Sequence, residues 1–562
     1  MTANAGASDH GRRSTRPRDH VDALIIGAGA GGAITARVLA EAGLSVVCLE
    51  QGGWTRPEDR PHSSPDWEWQ RLTNWSTAPN VRGHSQDYPV DTLDETTLMY
   101  NGVGGSTTVY TACWPRFRPS DFRKGTEHGA APDWPFTYED LAPWYDRHDL
   151  LAGVSGVEGD PAIPPRGPFP TPPTSPGPFG PITSAGFDKL GWHWWPMPAA
   201  IISEDYDGRL ACNHCGNCQS GCPRGSMNDY SVTAWPHAIA AGAELRTHAR
   251  VAQIQTGPDG RATGALYKDR NSGTWHVQTA DVVVLAANGV GTSRLLLNSG
   301  SGQHPDGLAN SSGCVGRHLM HHGLAMVEMW VDRPTDSHQG IVSAVHICEE
   351  FAETDASRGF VNGFTMHLNR NNGAGFQALG SHSGNVAPWG AGHHDWFRRH
   401  FAHGISCLIV GDDLPLPENR VTLSETLRDA DGLPGAKIAY GLHPNDERMM
   451  DYGVDRALDL AAAIDAFDVK VNRWDVHGHG YRPPAWHLLG TCRLGDDPAD
   501  SVVNQWGQSW DVPNLYLMDG SILPTGAAVN PTSTIGALTL RNATHLRDRF
   551  ADARTDTRTA VR

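Results

Sequence analysis

No run of about 18 apolar residues interrupts this chain, the length a helix needs to cross a bilayer, so no membrane span is expected. Positive charge is also scarce. Lys and Arg total 45 against 62 Asp and Glu, a formal net charge of −17. Phosphate backbones bind basic faces, so this balance excludes nucleic acid as a partner. An acidic surface suits a neutral or cationic substrate, although solubility alone accounts for it. The twin arginine Arg12-Arg13 is followed by no apolar stretch before the first strand, which argues against a secretion signal. Residues 1–19 are polar and read as a disordered tail, and the chain reads as cytoplasmic. No internal repeat is present. At 562 residues the chain has room for more than one domain, and 63 glycines and 39 prolines suit a loop-rich α/β protein.

The first organised feature is a short apolar run, DALIIG at 22–27. Gly27, Gly29 and Gly32 then form G-x-G-x-x-G, followed by a helical period and a second apolar run ending in Glu50. The first glycine permits a tight turn, the second lets backbone approach a pyrophosphate, and the third lets helix and strand pack closely. Glu50, 18 residues past Gly32, is placed to accept hydrogen bonds from ribose hydroxyls. Alone the glycines are weak; between two strands and with the acid they indicate a dinucleotide site. They do not separate NAD from FAD.

Three further segments bear on that choice. NGVGGSTT at 101–108 carries Gly104, Gly105 and Ser106, glycines that let backbone pass close to a flat ring. AANGVGTSRLLLNSG at 286–300 follows the apolar strand VVVL. His487-Leu-Leu-Gly490-Thr491 is followed by NLYLMDGS, which places Asp519-Gly520 after a strand, and then by Asn530-Pro531-Thr532. For Asp519 the plainer reading is a helix N-cap, and both roles are compatible. In this order, from about residue 20 to 550, the segments resemble the glucose–methanol–choline (GMC) oxidoreductases. The resemblance implies an α/β fold, with a Rossmann-like FAD-binding domain and a substrate-binding domain on an antiparallel sheet. The FAD domain is expected from 20–55, 96–125, 230–320 and 495–550. The substrate domain takes 56–95, 126–229 and 321–494. The expected cofactor contacts are Gly27, Gly29, Gly32, Glu50, Gly104, Gly105, Ser106, Val251, Asp519, Gly520, Asn530 and Thr532.

The resemblance also implies a catalytic pair. His487 matches the family histidine over the flavin, and Asn530 matches the His or Asn beside it. Alcohol oxidation needs a base for the hydroxyl proton while hydride goes to flavin N5. Histidine titrates near neutrality, and an asparagine amide can hold the hydroxyl without adding charge. One histidine among 28 means little by itself; the linked Gly490-Thr491 and Asn530-Pro531 give His487 its weight. The rival reading of Asn530 is an Asn-Pro turn. Pyranose oxidases, which this chain resembles over residues 104–116, carry a histidine joined to FAD where Val109 stands. Valine cannot form that bond, so non-covalent FAD is expected.

Cys212, Cys215, Cys218 and Cys222 follow C-x2-C-x2-C-x3-C-P within 212–223. Such a run suits an iron–sulfur cluster of the 3Fe–4S or 4Fe–4S kind. Tetrahedral zinc and two disulfides are the alternatives. The other six cysteines are scattered and read as buried thiols. Some GMC members carry a cysteine-rich insert with a 3Fe–4S cluster here, which would favour a dehydrogenase over an oxidase. The Pro- and Gly-rich stretch 155–185 reads as a surface connection or lid, and 54–95 and 371–400 as aromatic-bearing loops. The expected substrate is a small-molecule alcohol. A hydroxyl of a sugar, glycoside or aminoglycoside ranks first, and a sterol or long-chain alcohol second. The electron acceptor stays open among oxygen, a quinone and a redox protein. A flavin and iron–sulfur electron carrier without its own substrate is the reading from another class; a catalytic base argues against it.

Overall fold

The structure is a computed structural model that describes residues 19–56, 59–60, 67–70, 75–80, 89–92, 97–371, 373–379, 387–473 and 485–560. The tail expected at 1–19 falls outside these except for Asp19, as does much of 54–95. Among the described residues no helix is long and apolar enough to cross a membrane.

Four apolar runs build the central sheet: β1 (His20–Ile26), β2 (Val46–Leu49), β3 (Trp275–Leu285) and, much later in the chain, Leu515–Leu517. They pair in parallel, with Ala23 beside Val46, His20 beside Thr279 and Leu515 beside Val283. Glu244–Arg246 extends the parallel set beyond β2. A parallel sheet is covered on both faces, and its strands therefore read as continuous hydrophobic runs, without alternation. β3 is long enough to serve two partners on the edge away from β1. Its first half takes the antiparallel hairpin of Ala249–Thr256 and Ala262–Asp269, and its last three residues take Leu515–Leu517. One face is covered by α1 (Ala30–Glu41), against which the helix Thr532–Ala560 packs.

The second sheet is antiparallel throughout. Its order is Asp468–Asn472, β4 (Gly323–Trp330), Gly404–Gly411, β5 (Phe364–Asn369), His346–Cys348 and Trp194–Pro196. Here the period-two pattern decides the faces. Phe364, Met366 and Leu368 of β5 join Ala325, Val327 and Met329 of β4 in one apolar core, roofed by Met449, Val454 and Leu460 of the helix Pro444–Ala463. Thr365 and His367 consequently take the opposite face. This is the α/β architecture expected, a mostly parallel dinucleotide sheet beside an antiparallel one.

Two loop expectations need correction. The end of the Pro- and Gly-rich stretch is helical, since Gly180–Leu190 begins inside it. Pro181 fits the first helical turn, where no N–H is needed, and Gly191 closes the helix in the left-handed region at φ +72°. The region 371–400, read as loop, holds the helices Ala374–Leu379 and His393–His400.

Candidate active site

The glycine turn between β1 and α1 is shaped by contacts that leave no room for side chains. Gly27 sits at φ +100°, and a Cβ there would lie 2.4 Å from the Ala286 carbonyl oxygen. A Cβ on Gly32 would lie 1.9 Å from Gly27 O, so this glycine sets helix–strand packing from behind the turn. Gly31 carries the tightest contact, 1.6 Å to Met518 O, because the strand Leu515–Leu517 runs into the helix start. Sequence reading passed over Gly31, whose constraint comes from a segment nearly 500 residues away. Gly29 and Gly105 meet backbone to backbone, with a Cβ on Gly105 only 2.9 Å from Gly29 Cα. They form a narrow cradle that a single methyl group would fill.

Glu50 braces this turn. Ala28 N–H and Gly52 N–H each donate to one of its carboxylate oxygens at 2.8 Å. Burial raises its pKa and the backbone donors partly offset that. Each oxygen keeps a further acceptor position for a ribose hydroxyl. Gly27, Gly29, Glu50, Gly105, Ser106 and Val251 line one cleft, and Asp519, Gly520, Thr532 and His487 line its other walls. Gly32, Gly104 and Asn530, also expected as cofactor contacts, do not line it. Gly104, at φ +93°, faces Asp229, where a Cβ would lie 2.3 Å from Oδ1. Asp519 is indeed an N-cap, accepting from Ser521 N–H at 2.9 Å, and its other oxygen accepts from Thr292 Oγ1 at 2.6 Å. Arg250 and Arg294 also reach the cleft and share Asp429 at 3.2 and 2.8 Å. No local signal in the sequence marks them.

The corner around His487 is assembled across the two sheets. Residues 487–491 run antiparallel to 318–322: Met320 and Leu489 exchange backbone hydrogen bonds of 3.1 and 3.2 Å. Gly490 at φ +82° lets this strap lie flat, since a Cβ would lie 2.4 Å from His318 O. Beyond it Asn530 approaches, and its Nδ2 lies 3.2 Å from His487 Nε2. Sequence reading thus placed the two side chains that do meet. On the other side His487 Nδ1 lies 2.7 Å from His322 Nδ1, a partner that sequence reading missed. The available signal was weak, a His321-His322 pair just before the alternating strand GLAMVEMW. Burial, then the neighbouring imidazoles of His322, His367 and His321, hold His487 well below the ordinary histidine pKa. It is therefore neutral near pH 7 and able to accept a proton. Asn530 Oδ1 is buried without a hydrogen-bond partner, an acceptor in want of a donor.

All four clustered cysteines are free thiols; Cys218 and Cys222 are buried, Cys212 is half-buried and Cys215 exposed. Burial pushes the Cys212 and Cys218 thiols up to about 11 and about 12. No three of the four sulfurs lie within 4.8 Å of one another; among the described residues that spacing is met only by Asp160, His193 and Glu349. Arg60 joins this loop to the cofactor wall, donating to Cys222 O and pairing with Asp229 at 2.8 Å. Asp229 in turn accepts from Thr108 Oγ1 at 3.3 Å, in the turn that begins at Gly105.

A dinucleotide cradle whose far wall carries a neutral histidine–amide pair defines a flavin-type alcohol oxidoreductase. The chain belongs to the GMC oxidoreductase family, whose two models match residues 21–324 and 415–539. Members are FAD-dependent enzymes that oxidise alcohols. The chain is 48% identical to 2-methyl-1,2-propanediol dehydrogenase of Mycolicibacterium austroafricanum, over 96% of this chain and 97% of that protein. It is 30% identical to the fructose dehydrogenase large subunit of Gluconobacter japonicus, covering 93% and 97%. Paromamine 6'-oxidase of Streptomyces fradiae is 31% identical, covering 94% and 92%. Formate oxidase of Aspergillus oryzae shares the fold, with a TM-score of 0.65 at 16% identity over 95% of this chain and 99% of that one.

Proposed function

We propose that this protein is a dehydrogenase for a hydroxyl of a small 1,2-diol, with His487 as base, Asn530 as the group that holds the hydroxyl, and non-covalent FAD. The carrying observation is the 3.2 Å contact between Asn530 Nδ2 and His487 Nε2, with His487 lining the cofactor cleft. A substrate hydroxyl entering between the two donates to Nε2 in place of the Asn530 amide hydrogen and accepts from that amide. Its proton passes to His487 while the amide steadies the developing negative charge. FAD, when bound, supplies the acceptor for the hydride that leaves the carbinol carbon. The residues to hold it are Gly27, Gly29 and Glu50 at the turn, Gly105 and Ser106 opposite, and Val251, Asp519, Gly520 and Thr532 along the cleft. Val109 stands where covalent attachment would need a nucleophile, which supports non-covalent binding.

The diol comes from the 48% identical relative, which moves a small diol ahead of the sugar or aminoglycoside hydroxyl favoured by sequence reading. The relatives near 30% identity support that second choice. The dehydrogenase reading draws on the cysteine loop. Four free thiols, with Arg60 and Arg370 against the loop, suit the negative charge of an iron–sulfur cluster. Cys212, Cys215, Cys218 and Cys222 would hold it, and it would supply one-electron steps out of the flavin.

The test is anaerobic bleaching of the bound flavin by a panel: 2-methyl-1,2-propanediol, fructose, paromamine, a sterol and a long-chain alcohol. Fast bleaching by the diol is expected. No bleaching by any member would leave the electron-carrier reading in place. Iron analysis belongs to the same experiment, and zinc without iron would remove the relay.

A further inference from the structure

The catalytic corner holds a second buried histidine whose hydrogen bonds are fixed in direction. We propose that His322 is a positioning residue that locks His487 in the tautomer with its basic lone pair on Nε2. The inference deepens the function proposed above and rests on His487 being the base.

The donors set the direction of each hydrogen bond. His322 Nε2 lies 2.9 Å from the Gly526 carbonyl oxygen. A carbonyl only accepts, so Nε2 carries the proton. His322 is fully buried and its pKa is lowered, chiefly by desolvation, so the ring is neutral and Nδ1 is a lone pair. That lone pair faces His487 Nδ1 at 2.7 Å, which must therefore donate. His487 then has one protonated nitrogen, Nδ1, and one free lone pair, Nε2. The far end of the chain is consistent with this. An amide nitrogen only donates, and Asn530 Nδ2 is the atom against Nε2. Four groups, anchored at both ends by atoms of one role each, leave a single arrangement: Asn530 to His487 to His322 to Gly526.

Backbone register sets this contact. Met320 pairs with Leu489 in an antiparallel bridge, so His322, two residues on from Met320, falls opposite His487, two residues back from Leu489. Asp413 holds the turn, accepting from the backbone N–H groups of His321 and His322 at 2.9 and 3.0 Å and from the Tyr440 hydroxyl. The other titratable groups facing the pair are His321, His367 on β5 and Lys124, whose ammonium is paired with Asp412 and Asp121. None of these offers His487 Nδ1 a closer hydrogen-bond acceptor among the described contacts. Without His322, His487 is free to place its proton on Nε2 and present no base to the substrate. In a serine protease triad, holding histidine in the wrong tautomer costs about 10⁴ in rate.

Two readouts on the FAD-loaded protein test this. Anaerobic stopped-flow reduction by 2-methyl-1,2-propanediol is compared in wild type, His322→Asn and His322→Leu. Asparagine places an amide oxygen near the former Nδ1 and still accepts from His487; leucine does not. Both lose the contact to Gly526. The expectation is a loss within about tenfold for His322→Asn and at least about a hundredfold for His322→Leu, at equal flavin content. Equal losses in the two variants, or a leucine variant within threefold of wild type, overturn the proposal. The second readout needs no substituted His322. Nitrogen NMR of histidine-labelled wild type, with His487 assigned by its disappearance in His487→Asn, should show Nδ1 protonated and Nε2 bare. The reverse tautomer overturns the proposal even if His322→Leu fails to retain flavin. If His487→Ala still reduces flavin quickly, the base reading falls, whatever tautomer the spectrum shows.

Discussion

The glycine turn and the corner around His487 meet at one cleft but are built in opposite ways. The turn and its brace come from one β1–α1–β2 unit: the positive φ at Gly27, the packing of Gly32 on Gly27 O and the carboxylate of Glu50 all fall within 30 residues, although Gly27 and Gly31 also press on distant backbone. The corner draws His322, His487 and Asn530 from three segments, the first two 165 residues apart. The comparison teaches that the turn is limited by space and the corner by proton direction. Damage to the turn should therefore show as lost binding and stability, and damage to the corner as lost rate with the fold intact.

The largest expected effect is at the corner. His487→Ala should lower single-turnover flavin reduction by about 10³ to 10⁴, while bound FAD and the unfolding temperature stay near wild type. Stopped-flow absorbance reads this, and near wild-type reduction would remove His487 as the base. Asn530→Ala should cost less, roughly a hundredfold, as for the removal of one charge-stabilising donor. Its readout is the same, and a change confined to substrate affinity would reduce Asn530 to a binding contact.

Gly31→Ala reverses the pattern. The new methyl would lie 1.6 Å from Met518 O, so the helix start must move off the strand Leu515–Leu517. A cost on the order of 3 kcal/mol is expected from such overpacking, together with weakened FAD retention. Flavin content and thermal unfolding measure it. A variant that keeps both would show that α1 has more freedom than its contacts indicate.

The effect with the smallest change in activity at neutral pH is the pH dependence of stability. Burial lowers His148, His318 and His346 to about 4 and His367 to about 3. In the unfolded chain these rings take up protons below about 6.5, whereas the folded chain resists until the lowered values. Their contribution is thus present above pH 6.5 and lost as pH falls from there towards 4. Asp446, raised to about 6, works in the opposite sense over part of that window. The unfolding temperature should fall steadily from about pH 7 to 5; a rise would mean that buried carboxyls dominate.

Legibility in the sequence follows the range of the interaction. The strand–glycine–helix–acid unit could be read because its constraints lie between near neighbours and repeat a local period. His487 and Asn530 could be read only through their resemblance to a family, because neither a histidine among 28 nor an Asn-Pro pair carries its role locally. His322, Gly31 and the Arg250–Asp429–Arg294 group were not legible, since their reasons lie in strands and straps that are adjacent only after folding. The helix beginning at Gly180 was hidden for another reason: composition suggested a loop, while a proline in the first turn and a glycine past the last one are compatible with a helix.

By itself, then, the sequence determined the dinucleotide sheet, the order of the family segments and the four-cysteine spacing, all of which depend on local pattern. Tertiary structure alone decided that Gly31 must lack a side chain and that His322 faces His487 Nδ1. The first is a matter of excluded volume between distant backbones, and the second of antiparallel register across the strap. Neither quantity exists until the two sheets have met.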